Sequence, residues 1–411
     1  MQQTLIQVYE HDSLTTHNGL DEKQLELLSR YVGVKAGEDF PYYSLIHNGI
    51  KFKHYVGVLC VGDLQIEVLP KADKYSEEGD KDIWEQHLLE MLRTVYRLEV
   101  KLPSKAYQKT KRSRILEIFL SKFLDEVEHL LHQGLVKAYR RVESNSTALK
   151  GRLMLQEHIT KNSVHKERFF VNYTTYDYNH ILNRIIHKTL TTILNIPASS
   201  YTHNRAKSLL FEFPELNNVV ITDDMFANLS YDRKTEGYRE AIELARIILL
   251  SYVPNFSYKK GNSVLAMMFD MNKLWEQYVF AILRRELRGS GYCVYAQKGR
   301  EFWKSKDVGN KIIRPDIVVV KDGKCLAVLD TKWKIPKDRK PSDGDLKQMY
   351  VYHQYWDTNN TALIYPGMGQ KIEGQYVKGG GQCGMFYLPI GRSEKSQFLD
   401  ATALTDYIKG L

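Results

Sequence analysis

Cysteine is scarce and scattered. The four in this 411-residue chain, Cys60, Cys293, Cys325 and Cys383, include no C-x-x-C pair. That argues against a structural zinc site or a disulfide framework and for reduced thiols in the cytoplasm. Long apolar runs are missing too. Nothing approaches the ~20 residues that cross a bilayer, so no membrane span is expected. The opening M-Q-Q-T-L-I-Q-V-Y-E-H-D has neither the basic start nor the apolar stretch of a signal peptide. Internal repeats, extended low-complexity tracts and nucleotide-binding motifs are also absent. The run Gly379-Gly380-Gly381-Gln382-Cys383-Gly384 lacks G-K-[ST] and a following helix, so it reads as a flexible hairpin loop. Any nucleotide hydrolysis must then come from a partner.

What is present suits a soluble chain of two or three domains. Hydrophobic residues make up 43% and charged residues 26%, ordinary for a globular protein. The net charge of +9 mildly favours a polyanionic partner. The 27 tyrosines offer flat surfaces that stack on bases or simply pack.

The most informative stretch is Arg314 to Lys334, R-P-D-I-V-V-V-K-D-G-K-C-L-A-V-L-D-T-K-W-K. Two apolar runs, Ile317 to Val320 and Leu326 to Leu329, flank Lys321-Asp322-Gly323-Lys324, a tight hairpin signal. Pro315 can begin a strand but not sit inside one, which places Asp316 at the strand's edge. An antiparallel hairpin then sets Asp316 beside Asp330, and the two-residue period of a strand puts Lys332 on the face of Asp330. Two carboxylates suit a hard cation such as magnesium. The lysine would stabilise phosphate charge or orient water. The same residues also fit a bland reading: an Asp at a strand mouth, an Asp ending a hairpin and an exposed Lys.

The rest of the chain supplies context. Strands are expected at Thr4 to Tyr9, Tyr43 to His47, Ile50 to Cys60 and Leu64 to Leu69, with a short helix at Leu25 to Val32 opened near Asp21. The alternation of Leu64 to Leu69 predicts one buried and one wet face. A helix from about Asp82 carries Trp84, Leu88, Met91 and Leu92 on one side, with His87 as a packed histidine. Lys101 to Arg114 is the most basic segment and reads as a phosphate contact or a solvated linker. An amphipathic helix from Leu116 to Leu131 closes at Gly134. More helices follow, at Ile181 to Leu190 with Asp177 as a candidate cap, Lys207 to Phe213 and Tyr238 to Leu250. From Ser263 the order is helix (to Leu287), strand (Tyr292 to Ala296), hairpin, helix (Leu346 to Trp356) and strand (Thr361 to Tyr365), then Met385 to Pro389. Gln348 and Tyr352 share a helix face, with Tyr352 assigned to core packing. Glu276, on the first of these helices, fits a site residue or an exposed ion pair.

The P-D-x(n)-D-x-K pattern resembles that of the PD-(D/E)xK nuclease superfamily. That resemblance implies a mixed sheet flanked by helices, magnesium (with manganese as a substitute) at Asp316 and Asp330, and Asp316, Asp330 and Lys332 as catalytic residues. In many members the first helix offers a glutamate and the second a glutamine or tyrosine, which makes Glu276 and Gln348 candidates. Four blocks in order, "IEVLPKA" (Ile66 to Ala72), "LKGRL" (Leu149 to Leu153), "YDYNHILNRII" (Tyr176 to Ile186) and "RPDIVV…LDTKWK", resemble McrC, the nuclease subunit of McrBC systems. This implies an α/β chain (α+β overall) with a β-rich domain at 1–100 docking an McrB-like AAA+ GTPase, a helical middle at 101–255 and an endonuclease domain at 256–411. It implies cleavage of double-stranded, modified DNA, GTP used only through the partner, dimerisation through the nuclease domain and a cytoplasmic setting. A non-catalytic activator of an AAA+ motor and a stand-alone repair nuclease are the competing readings.

Overall fold

The computed structural model describes residues 4–35, 40–62, 64–71, 81–98, 113–253, 263–367, 369–388 and 402–411. The basic positions 101–112, the polar stretch 72–80 and Pro254 lie outside the described residues. The fold is mixed α/β. The chain divides into two compact units: Met1–Lys101 together with Met268–Leu411, and Leu102–Met267. Three consecutive blocks were expected; instead the two ends of the chain share one unit.

In the first unit, Thr4–Tyr9 pairs parallel with Leu64–Leu69, which pairs antiparallel with Tyr55–Val61. The expected strand Ile50 to Cys60 is two strands. Gly49–Phe52 pairs with Tyr43–Ile46 and Ser13–Thr15 in a separate sheet, turning at Asn48 with φ 53°. Helix Glu22–Lys35 opens with a reciprocal pair of capping bonds: Gln24 N donates to Asp21 Oδ1 at 2.7 Å, and Asp21 N donates to Gln24 Oε1 at 2.9 Å.

Leu64–Leu69 has no wet face, although its sequence alternates. Gln65 and Glu67 are 1% and 0% exposed. Gln7 Nε2 donates to Glu67 Oε2 at 2.9 Å and to Glu85 Oε2 at 3.3 Å, so the polar face is covered by polar neighbours. Glu85 belongs to helix Lys81–Tyr96, which also buries Trp84, Leu88, Met91 and Leu92. That helix packs on Met271–Glu286, whose own buried stripe is Leu274, Trp275, Tyr278 and Ile282. This pairing of apolar stripes is why the chain ends fold together. His87 sits edge-on to Trp84, and burial lowers its pKa, so it packs as a neutral ring.

The main sheet of this unit has six strands. Their order is Tyr292–Ala296, Ile317–Lys321, Lys324–Thr331, Asn360–Pro366, Gln382–Leu388 and Ile372–Gln375. The first three run antiparallel, Asn360–Pro366 joins Lys324–Thr331 and Gln382–Leu388 in parallel, and the last strand is antiparallel. Val318, Val328, Leu363 and Met385 pack with Met349, Tyr352 and Trp356 of helix Asp343–Trp356. Ile317, Val319, Leu329 and Ile364 on the alternate positions are equally buried, so both faces are covered. The expected helix from Ser263 begins only at Met271. Val264–Asp270 is a buried strand, and the Asp270 side chain accepts Asn272 N and Lys273 N as the helix N-cap. The glycine run lies in the link between Ile372–Gln375 and Gln382–Leu388. Gly379, Gly380 and Gly381 have φ of 82°, 68° and 86°, a backbone that side chains resist.

The second unit is not wholly helical. Helix Arg114–Gln133, capped by Ser113 and followed by Gly134, packs with Ser200–Glu212 and Arg239–Ser251, and Ile181–Ile193 joins them. Beside these helices lies a sheet that the polar sequence A-Y-R-R-V-E-S-N-S did not announce: Ala138–Ser146 antiparallel to Phe169–Asp177, edged by Arg152–Leu153. Asp177 is no cap. It pairs with Arg140 Nη2 at 3.0 Å, while His180 Nδ1 accepts Leu182 N at 3.2 Å and caps Ile181–Ile193.

A fragment ending at residue 253 lacks helix Met271–Glu286. Limited proteolysis is expected to cut such a fragment readily within 4–98 and to spare 113–253, whereas the full chain resists in both. Equal protection of 4–98 in fragment and full chain contradicts the shared core.

Candidate active site

The hairpin forms as its sequence dictates. Asp322 and Gly323 take φ of 49° and 78° between the two strands, the left-handed pair of a two-residue turn. Ile317 then faces Leu329, which brings Asp316 and Asp330 together at the far end. Asp316 Oδ2 accepts both Thr331 N and Thr331 Oγ1 at 2.7 Å, locking the first carboxylate to the second strand. Asp330 is only 1% exposed, and its Oδ2 lies 2.6 Å from Lys332 Nζ. The Lys332 amide donates to Ile364 O at 2.9 Å, which fixes the lysine's backbone to the next strand.

Helix Asp343–Trp356 supplies the bridge. Lys332 Nζ donates to Gln348 Oε1 at 3.1 Å, and Gln348 Nε2 donates to Asp330 Oδ1 at 3.3 Å and to the Tyr352 hydroxyl at 2.9 Å. That hydroxyl in turn donates to Arg314 O at 3.1 Å. The amide therefore turns its oxygen to the ammonium and its nitrogen to the carboxylate, an orientation set by charge. On the other side, Gln297 Nε2 donates to Glu276 Oε1 at 2.7 Å and to Asp316 Oδ1 at 3.5 Å. Asp330, Lys332 and Gln348 thus form one bonded set and Glu276, Gln297, Asp316 and Thr331 a second, and the charges of Asp316 and Asp330 meet between them. Tyr352, expected in the core, is buried there and also takes part through its hydroxyl.

Sequence reasoning missed four participants. Gln297 follows strand Tyr292–Ala296 at φ 51°, and its amide donates to Asp316 O at 2.9 Å. Thr331 lies inside the motif but reads as a spacer. Asp345, in the first turn of a helix capped by Ser342, lies 3.8 Å from Lys332 Nζ and 2.7 Å from Lys334 Nζ. Lys334 is the fourth. Of these, only the S-D-G-D run around Asp345, a helix start, carried any sequence signal.

The electrostatics are those of acids held close in a dry place. Burial, then Asp316, raises Asp330 to about 6, although Lys332 opposes the shift. Burial raises Glu276 to about 7, with Asp316 and Asp330 adding to it. Burial pulls the Lys332 ammonium down, but Asp330, Asp345 and Asp316 outweigh it and raise its pKa. Asp330 Oδ2 is held by the Lys332 ammonium and Oδ1 by Gln348, yet the carboxyl stays raised, so these partners only partly offset its burial. Among the described residues no three acidic, histidine or cysteine side chains enclose a metal by themselves. Two hard carboxylates with water or phosphate oxygens completing the shell suit magnesium, which binds through one or two carboxylates.

A mixed sheet with two acids and a lysine at one end of its hairpin defines the class of an acidic, lysine-assisted site. The family follows from the chain as a whole. The model of the McrBC 5-methylcytosine restriction system component family matches residues 50–366, and the chain belongs to that family. In fold it is similar to a chain of the refined half-complex from a tetradecameric assembly of Thermococcus gammatolerans McrB AAA+ hexamers with bound McrC. The two share 21% identity and a TM-score of 0.64, over 96% of this chain and 97% of that chain. The cryo-EM structure of the Thermococcus gammatolerans McrBC complex gives 21% identity and a TM-score of 0.50, over 69% of this chain and 88% of that one. No curated protein sequence matches the chain.

The raised pKa of Asp330 has a consequence for stability. Between its ordinary 3.8 and about 6 the unfolded chain has lost a proton that the folded chain keeps, so this group's contribution falls as pH rises. Without metal, Asp330→Asn is expected to stabilise the fold near pH 8 by roughly 1–3 kcal/mol and to change little near pH 4. Thermal melts at the two pH values check this; a variant less stable than wild type near pH 8 contradicts it.

Proposed function

We propose that this chain is the nuclease subunit of a GTP-dependent, modified-cytosine-directed restriction complex, hydrolysing DNA phosphodiester bonds with magnesium. The observation that carries the reading is the convergence of Asp316, Asp330 and Lys332 at one hairpin end, where Gln348 bridges Asp330 and Lys332 and Thr331 ties Asp316 to the strand of Asp330. Asp316 and Asp330 would hold the cation, with manganese as a substitute. When bound, it polarises a phosphate oxygen and lowers the pKa of a coordinated water.

The chain's own residues do the rest. Lys332, kept charged by three carboxylates, presents positive charge where the pentavalent phosphate gathers negative charge. Gln348 holds that ammonium and Asp330 in register, so neither needs to reorganise during the reaction. Glu276, near neutrality in pKa and joined to Asp316 through Gln297, is placed to exchange a proton with solvent at the site. A non-catalytic activator would not need these groups gathered at one hairpin end.

The partner reading rests on the family and on the similar Thermococcus assembly, in which McrC is bound to McrB AAA+ hexamers. We extend that partnership, and GTP hydrolysis by the partner alone, to this chain. The N-terminal strand Leu64–Leu69 loses the wet face on which docking was expected. The sheet Ala138–Ser146 with Phe169–Asp177 is the better candidate: Tyr139 and Tyr176 are 77% and 52% exposed and pack together at 4.6 Å. Solvent-facing aromatics in contact commonly mark a protein interface. The cytoplasm, where such DNA is met, is the proposed setting.

The decisive assay mixes the purified chain with its AAA+ partner, GTP and modified or unmodified DNA. Asp330→Asn is expected to reduce cleavage below detection while the complex still forms. Lys332→Ala is expected to slow cleavage by about 100-fold or more yet to bind manganese like wild type in calorimetry. Wild-type cutting by either variant overturns the site. Because protons compete at the raised carboxylate of Asp330, manganese affinity should weaken from about pH 8 to about pH 6; a flat profile contradicts the ligand assignment. Replacing both Tyr139 and Tyr176 by Asp should weaken stimulation of the partner's GTP hydrolysis and leave the melting temperature unchanged. Full stimulation by that variant moves the docking face elsewhere.

A further inference from the structure

Lys332 is held on one side by Ile364, and its other neighbour, Trp333, reaches a residue more than 300 positions away. Trp333 Nε1 donates to Glu10 Oε1 at 2.7 Å. Glu10 itself is anchored where Thr4–Tyr9 ends: its amide donates to Leu69 O, and its Oε1 also accepts Lys71 N, both at 2.9 Å. The carboxyl is 3% exposed and its Oε2 accepts no hydrogen bond, so Oε1 is the atom that does the holding. A buried acid whose Oε2 lies 3.8 Å from the His11 ring, at the edge of ion-pair range, is a costly choice for packing alone.

The Trp333 ring sits among the other large aromatics of this unit. Trp275 lies 5.4 Å away at 58°, and Trp84 meets it edge-on at 6.5 Å. Trp275 directly precedes Glu276, and its Nε1 donates to Ile364 O at 3.4 Å, the same carbonyl that takes the Lys332 amide. Three of the chain's five tryptophans therefore meet at one point, two of them adjacent in sequence to site residues.

From this geometry we infer that Glu10 is a positioning residue for Lys332, acting through the Trp333 indole N–H. The inference rests on the nuclease reading above. The Glu10–Trp333 bond fixes the chain just after Lys332, as the Ile364 bond fixes it at Lys332, so the ammonium meets Asp330 and Gln348 without searching. Free of that bond, Trp333 can rock in its aromatic cage, and the lysine leaves its place by a fraction of its side-chain length. Misplacement on that scale lowers turnover without removing any ligand from the cation.

The test uses the full chain with its partner, comparing Glu10→Ala, Glu10→Gln, Trp333→Phe and Lys332→Ala. Glu10→Ala should lower kcat by about 10- to 100-fold with KM for DNA and manganese affinity unchanged. Glu10→Gln, whose Oε1 can accept the same two N–H groups, should restore most of the rate. Trp333→Phe keeps a ring in the cage and loses only the N–H, so it should reproduce the Glu10→Ala defect even if that variant fails to fold. Wild-type kcat in Trp333→Phe, or a loss in Glu10→Ala that Glu10→Gln does not restore, overturns the assignment. Wild-type cleavage by Lys332→Ala instead overturns the nuclease reading and is thereby distinguished.

Discussion

Asp330 is stripped of water at the end of a hairpin, and the rest of the site is arranged around what that costs. A carboxylate so buried is unfavourable unless cations and donors surround it. Lys332 supplies the charge at 2.6 Å and Gln348 the hydrogen bond at 3.3 Å, yet the pKa stays near 6. The fold thus holds a site that is incompletely satisfied by its own side chains. Sites of this kind are where function concentrates, because a bound cation can supply what the protein withholds.

The architecture around the hairpin serves to hold those groups still. The parallel strand Asn360–Pro366 pins the Lys332 amide, helix Asp343–Trp356 brings Gln348 across the top, and helix Met271–Glu286 brings Glu276 from the other flank. The chain's N-terminal residues join the same unit: helix Lys81–Tyr96 covers Met271–Glu286, and Glu10 holds Trp333. The sheet that carries the candidate site is therefore not a detachable C-terminal module. The partner-facing candidate, the exposed sheet at Tyr139 and Tyr176, lies in the other unit.

Much of the site was legible because its geometry is local. The Asp-Gly turn sets the register, and the register alone brings Asp316 to Asp330. Glu276 and Gln348 were placed by helical spacing together with the superfamily resemblance, whereas Tyr352 was assigned to core packing alone. Gln297 and Thr331 were not legible, since each acts through a contact that only the folded chain creates, and of Asp345 only its place at a helix start showed. The same limit explains Leu64–Leu69: alternation reports polarity, and Gln65 and Glu67 are polar yet buried, with Gln7 bonded to Glu67. It explains Ala138–Ser146 as well, a strand without a buried face and so without a hydrophobic period. The joining of the two chain ends needed tertiary contacts that no local pattern encodes.

The central claim is that Asp316 and Asp330 together hold a divalent cation. Anomalous diffraction from crystals of the chain soaked in manganese tests it without relying on activity, partner or substrate. The account predicts a single strong peak within coordination distance of both carboxylates and on the Lys332 side of the hairpin end. An empty map at that position, or a peak bound by other residues while these two remain paired only with Lys332 and Thr331, contradicts it.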